Sequence, residues 1–342
     1  MNKINNNMIN LIVDTFDQAV MIYYEARIND RVDNTAVTNY NIEKGRLNYY
    51  ICLIDLIDAF LENKTLTIDE KKNQEIMKLF DHLNDEIEKN GLNNEEVRRA
   101  LLLLDINGFK NINFDLDMIT PDVIALIICF ILEPILKENQ TILDGNLGCG
   151  NLMYLLSTHL SKEFKMIGIE NHGLLADVAV HKANMMNLNV NIFHQDTLEY
   201  IYNDVDYIVS DIAEYDYENE EYHSKLYDQG IKYFPYLYIE HNLKSENDHI
   251  GIYLVNNKFF SQLGNEQFRE VLKENAYIHS FITLPNSLFL NLDNTKSIMI
   301  VKKTKDLTNK KTDIYMLPNI SEQEKFMDII KTIQESMKEL IK

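Results

Sequence analysis

The sequence predicts an α/β fold with a parallel-type sheet, preceded by a helical N-terminal domain. Three observations carry this. From Thr141 onward, short apolar strands alternate with helical stretches. Four successive strands end in or next to a carboxylate: Asp144, Glu170, Asp196 and Asp211. The first of them runs into a glycine turn, Asp144-Gly145-Asn146-Leu147-Gly148-Cys149-Gly150-Asn151. Ligands of open α/β sheets sit outside the carboxyl ends of the strands, so these acids outline a nucleoside-binding crevice.

The elements follow in order. Ile4, Met8, Leu11, Ile12 and Phe16 have helical spacing. A second helix is expected over 39–63, with Ile51, Leu53, Ile54, Ile57 and Phe60 on one side. Thr67 to Glu70 has the capping-box pattern of a third helix, which Gly91 would stop. A fourth spans about 95–104, and residues 107–120 read as a linker. Thr120 suits the N-cap and Pro121 the first position of the apolar helix that follows. Seven strands are expected, at 141–147, 165–170, 189–195, 205–211, 249–255, 276–283 and 296–303. Helices fall near 151–161, 173–187, 226–244 and 264–275. The last two strands have no helix between them and read as an antiparallel edge pair, and an amphipathic helix over 321–341 closes the chain. The expected domains are 1–112, helical; 113–305, α/β; and 306–342, an extension ending in a helix.

Composition narrows the function classes. Acidic residues outnumber basic ones 53 to 33, for a net charge of −20, which argues against tight unaided binding to duplex DNA. The longest apolar run, Val123 to Leu132, is too short to span a membrane. Cys52, Cys129 and Cys149 show neither paired nor metal spacing, and no signal-like segment leads the chain, so a reduced cytoplasmic protein is expected. No histidine pair has metal spacing, and no metal is expected. Lys302, Lys303, Lys305, Lys310 and Lys311 form the one basic cluster, read as an exposed strand end and loop.

The glycine turn lets a backbone approach a ligand in front of a helix N-terminus. A dinucleotide turn would place a third glycine where Met153 stands. The bland alternative is a tight strand–helix connection. Glu170 fits an acid that accepts from two ribose hydroxyls. Asp196 fits either an adenine contact or a helix cap. The loop from Glu214 to Ser224 is rich in acids and tyrosines. It reads as a solvated loop, or as tyrosines packed over the cofactor mouth.

The ordered segments "TPDVI", "ILDGNLGCGN", "IGIEN", "HQD", "VDYIVSDI" and "ITLPNSLF…KSIMIVKK" resemble the S-adenosylmethionine-dependent adenine-specific DNA methylases. The resemblance is to small stand-alone bacterial members related to type I restriction modification subunits, and covers roughly residues 115–305. It implies a class I methyltransferase (Rossmann-like) fold with a seven-stranded sheet. It also implies S-adenosylmethionine as cofactor and DNA as a partner, bound weakly unless a protein partner supplies sequence reading. Thr120 and Pro121 match the segment over the methionine end. Asp144, Gly148 and Gly150 match the methionine-binding turn. Glu170, with Asn171 beside it, matches the ribose acid, and Asp196 the adenine contact. Asp211 and Ile212 match the start of the catalytic tetrapeptide. In the family, that polar side chain and the next carbonyl accept from the target amine, and an aromatic ring stacks on a flipped base. Here the tetrapeptide reads Asp211-Ile212-Ala213-Glu214, with Tyr215 one residue beyond the ring's place. The expected function is therefore an amino-methyltransferase using Asp211, Ile212 and Tyr215. The alternative is a catalytically degenerate methyltransferase fold that binds cofactor or a partner.

Overall fold

The computed structural model describes residues 4–33, 47–307 and 310–341. Eight strands form one sheet: β1 (Thr141–Asp144), β2 (Lys165–Glu170), β3 (Val190–His194), β4 (Tyr207–Asp211), β5 (Ile250–Asn256), β6 (Ala276–Thr283), β7 (Lys296–Lys303) and β8 (Asp313–Met316). Their order is β3-β2-β1-β4-β5-β7-β6-β8. β1 pairs in parallel with β2 on one side and β4 on the other. The strand order therefore reverses at β1, and the crevice lies at the carboxyl ends of β1 and β4.

The seven expected strands all form, with ends shifted by a few residues. The eighth, β8, pairs in parallel with β6, so β6 and β7 are antiparallel neighbours as expected but do not form the sheet edge. The interior strands β1, β4 and β5 are buried along nearly their whole length, which is why they read as continuous apolar runs.

The helices are α1 (Asn6–Asp33), α2 (Tyr49–Glu62), α3 (Glu70–Asn90), α4 (Asn94–Ile112), α5 (Asp122–Leu132), α6 (Asn151–His159), α7 (Gly173–Met185), α8 (Phe234–Leu243), α9 (Asn265–Leu272) and α10 (Gln323–Leu340). The expected start of α2 at Asn39 lies outside the described residues. Within them α2 begins after Asn48, whose side chain accepts from the Ile51 N–H at 3.1 Å. The cap of α3 is Asp69 rather than Thr67, because the Asp69 carboxylate reaches the Lys71 and Lys72 N–H groups. α4 continues to Ile112, so most of the expected linker is helix or the short turn Leu116–Met118. Pro121, not Thr120, is the N-cap of α5, and no side chain caps it. The helix expected over 226–244 is interrupted at Gly230, where φ is 81°.

Two compact units emerge. The first contains residues 1–118, Cys149–Asn151 and Gly173–Leu188, and thus α1 to α4 with α7. The second holds the sheet and the remaining helices. At the centre of the first unit, the Lys182 ammonium of α7 pairs with Asp105 of α4, both essentially without solvent exposure. Lys182 Nζ also donates to Asn151 Oδ1 at 2.9 Å. Tyr50 OH donates to the Asp105 carbonyl at 3.1 Å and lies 3.8 Å from Cys149 Sγ. Burial pushes the Asp105 carboxyl up, and Lys182 opposes the shift. Cys149 is thus a small buried side chain. None of the three cysteines is in a disulfide.

Breaking a buried pair leaves an uncompensated charge, whereas removing both charges does not. Lys182→Met is expected to cost about 3–5 kcal/mol in urea unfolding. The double variant Asp105→Leu/Lys182→Met should recover most of that loss.

Candidate active site

Four strand ends and the stretch from Gly145 to Gly148 build the site in the second unit. β1 ends in Asp144, which is 1% exposed. Its carboxylate accepts from the Asn146 N–H at 3.0 Å. Burial raises the Asp144 carboxyl from its ordinary 3.8 to about 7, partly offset by hydrogen bonds from Asn146 and Ser210. The charges of Asp211 and Glu170 push it the same way.

The turn after Asp144 is tightly built. The Gly145 N–H donates to Ser210 Oγ at 3.2 Å and to Tyr238 OH at 3.1 Å. A Cβ at Gly145 would come within 2.4 Å of Tyr238 OH and 2.6 Å of Thr197 Oγ1, so no larger residue fits. Gly148 has φ 55° and Gly150 has φ 80°, the left-handed region that favours glycine. Gly150 falls with the first unit.

Glu170 closes β2 and is 8% exposed. Its two carboxylate oxygens accept from the Gly148 N–H and the His172 N–H, each at 2.8 Å. The glycine turn and the acid of the second strand are thereby locked to each other. Asn171 is exposed, and its carbonyl lies 3.2 Å from His194 Nε2.

Asp196 follows β3. It takes a hydrogen bond from Tyr217 OH at 2.7 Å and from the Leu198 N–H at 2.9 Å. No helix follows Asp196, so it caps a local turn rather than a helix, and the Tyr217 contact ties it to the acidic loop. Burial, reinforced by Asp196, pushes the Tyr217 hydroxyl up to about 12.

Asp211 closes β4. One oxygen accepts from Thr120 Oγ1 at 2.8 Å, and the other pairs with the Lys296 ammonium. Thr120 is therefore occupied with Asp211 rather than capping α5. Ile212 is 1% exposed, and its N–H donates to the Leu254 carbonyl at 3.2 Å. The Ala213 N–H reaches Asn146 Oδ1 at 3.4 Å, which links the tetrapeptide to the glycine turn.

Beyond the tetrapeptide the chain is held rather than loose. Tyr217 N–H donates to the Lys232 carbonyl and Phe234 N–H to the Tyr215 carbonyl. Tyr217 and Tyr222 are buried, so the expectation of a solvated loop does not hold for these two side chains. Tyr215 is 39% exposed and stacks on Phe234, with ring centroids 4.5 Å apart at 16°.

The structure thus brings Thr120, Asp144, Gly148, Glu170, Asp196, Asp211 and Ile212 to one edge of the sheet. Sequence reasoning missed Asn146, Tyr238 and Lys296. The available signal for Lys296 was a lysine opening a strand with an apolar middle. Asn146 Nδ2 is buried without a hydrogen-bond partner. The lysine cluster is not one exposed patch, because Lys303 is 5% exposed and donates to the Asn247 carbonyl.

The sequence model of the family described as N-6 DNA Methylase matches residues 117–340. The chain belongs to the N-6 DNA methylase family. The YtxK protein of Bacillus subtilis, described as uncharacterized, is 30% identical over 203 residues. That alignment covers 57% of this chain and 61% of the relative, less than two thirds of its length. A Listeria monocytogenes structure, assigned as a class I S-adenosylmethionine-dependent methyltransferase, superposes with a TM-score of 0.81 at 21% identity, covering 97% of this chain and all of that one. A type I restriction-modification methyltransferase subunit from Streptococcus thermophilus superposes at 0.60 and 16% identity, over 82% of this chain and 67% of that one. These likenesses establish the class I methyltransferase fold, here with an eighth strand. No helix among the described residues is long and apolar enough to cross a membrane.

The raised Asp144 sets a pH dependence. The folded chain keeps this proton up to about 7, while the unfolded chain loses it near 3.8. The associated stability is complete below the lower value and is lost as pH rises through the upper one. Asp144→Asn should therefore gain in Tm relative to wild type between about pH 4 and about pH 7 and hold that gain above, as read by thermal melts across the range.

Proposed function

We propose that this N-6 DNA methylase family chain is an S-adenosylmethionine-dependent amino-methyltransferase resembling the adenine-specific DNA methylases. The observation that carries the reading is the lock between the Gly148 N–H and Glu170 beside buried Asp144. It supports a pre-formed cradle for a nucleoside with a cationic tail. The residues fit the cofactor. Asp211 and Glu170 both disfavour the charged form of buried Asp144, and a bound cation would favour it. Gly145 leaves no room for a side chain, and the unpartnered Asn146 Nδ2 is a donor for a carboxylate or carbonyl oxygen.

When bound, S-adenosylmethionine supplies a methyl group on a sulfonium, already activated for displacement. The chain supplies orientation. Glu170, its oxygens fixed by two N–H groups, keeps lone pairs for vicinal hydroxyls. Asp196 and Asn171 flank the adenine side, and Thr120 and Pro121 the methionine side. Asp211 and the Ile212 carbonyl seat the acceptor amine. Tyr215, backed by Phe234, offers its outer face to a planar base. DNA is the acceptor that the family suggests, with a protein partner offsetting the net charge of −20 and the cytoplasm as the site of action.

A second reading, a fold that binds cofactor without turnover, is favoured by one observation: both Asp211 oxygens already have partners. Two measurements separate the readings. Calorimetric titration should give micromolar binding of S-adenosylmethionine, about −8 kcal/mol, abolished by Glu170→Ala. Methyl transfer to DNA should be lost in Asp211→Ala with cofactor binding retained. Binding with no transfer by the wild type to DNA, RNA or small amines selects the second reading.

A further inference from the structure

Lys296 is placed by topology. β4 and β5 run parallel, so Asp211 and Asn256 finish at the same edge. β7 runs antiparallel to β5, and its first residue, Lys296, pairs with Asn256 at that edge. The lysine side chain reaches Asp211 and is 17% exposed, while that of Asp211 is 12% exposed. Thr120 occupies the other carboxylate oxygen.

We propose that Lys296 sets the class of acceptor, by making the Asp211 seat electrically neutral so that it takes an uncharged aromatic amine and rejects aliphatic ammonium groups. This rests on the reading that Asp211 seats the acceptor. An aliphatic amine is protonated at neutral pH and has no lone pair to offer a methyl group. An unpaired carboxylate at a partly buried site would attract that ammonium and hold it protonated. The acidic segment Glu214, Asp216, Glu218, Glu220 and Glu221 would bring such cations to the site. Lys296 cancels the attraction at the seat itself. A neutral exocyclic amine needs only an acceptor oxygen. A carboxylate has about four lone-pair sites, and Lys296 and Thr120 leave some of them open. Lys296 is a positioning residue that acts through Asp211.

The test is a calorimetric titration of the full chain with spermidine as the cationic probe, alongside titration with S-adenosylmethionine. Lys296→Met and Lys296→Gln should each bind spermidine about tenfold more tightly than wild type, the lower range of what one neighbouring charge does at a partly buried site. Lys296→Arg, which keeps the charge, should behave as wild type. Adding Asp211→Asn to Lys296→Met should return affinity to the wild-type level, which separates the seat from the exposed acids. In methyl transfer to DNA, spermidine should inhibit Lys296→Met and Lys296→Gln more strongly than wild type, because a bound ammonium blocks the seat without accepting a methyl group. Equal spermidine binding by wild type and both neutral variants, with S-adenosylmethionine still bound, overturns this inference alone. Failure to bind S-adenosylmethionine overturns the functional reading and this inference with it.

Discussion

The parallel pairing of β1 with both β2 and β4 is the constraint on which the site depends. It brings three strand ends, separated widely in sequence, to one edge and reverses the strand order there. The glycine turn must leave β1 in little space, because Tyr238 and Thr197 stand directly over Gly145. The turn then returns a backbone N–H to Glu170, so strand pairing and loop geometry are fixed by the same carboxylate. Main-chain donors, rather than flexible cations, hold this acid, and such contacts cost little side-chain entropy.

The electrostatics of this edge work against stability at neutral pH. A carboxyl as deeply buried as Asp144 is expensive to ionise, and its neighbours are acids. Perturbed groups of this kind concentrate at functional sites. Asp211 differs from the other two in having a cation of the chain itself as partner. The edge thus has an acidic, cation-seeking half around Asp144 and Glu170 and a neutralised half around Asp211.

Much of this was legible in the sequence. Each strand around β1 is a short apolar run ending near an acid, and that pattern fixes both fold class and the crevice. What escaped was whatever depends on partners distant in the chain. Thr120 has the chemistry of an N-cap, yet Asp211, brought close by β4, competes for its hydroxyl and wins. Lys296 reads as an ordinary charged strand start, and only the antiparallel run of β7 carries it to the carboxyl ends of β4 and β5. β8 was missed because its pattern is weak. Ile314 and Met316 are 79% and 74% exposed, so no alternation of buried and exposed residues marks it. Tyr217 and Tyr222 lie in an acidic stretch whose composition suggests solvent, while their rings pack into the core. Local composition carries no record of such anchoring.

The Asp105–Lys182 pair has a consequence for how this chain can change over generations. Each member is inherited separately but is tolerated only in the other's presence, since either alone leaves a charge in a dry interior. Single substitutions at these positions are therefore costly, whereas replacing both charges together is not. Divergence here has to pass through a coordinated double replacement. Across descendants of this sequence the two positions should behave as one inherited character, and Asn151 and Tyr50, which complete their hydrogen bonding, should drift with them.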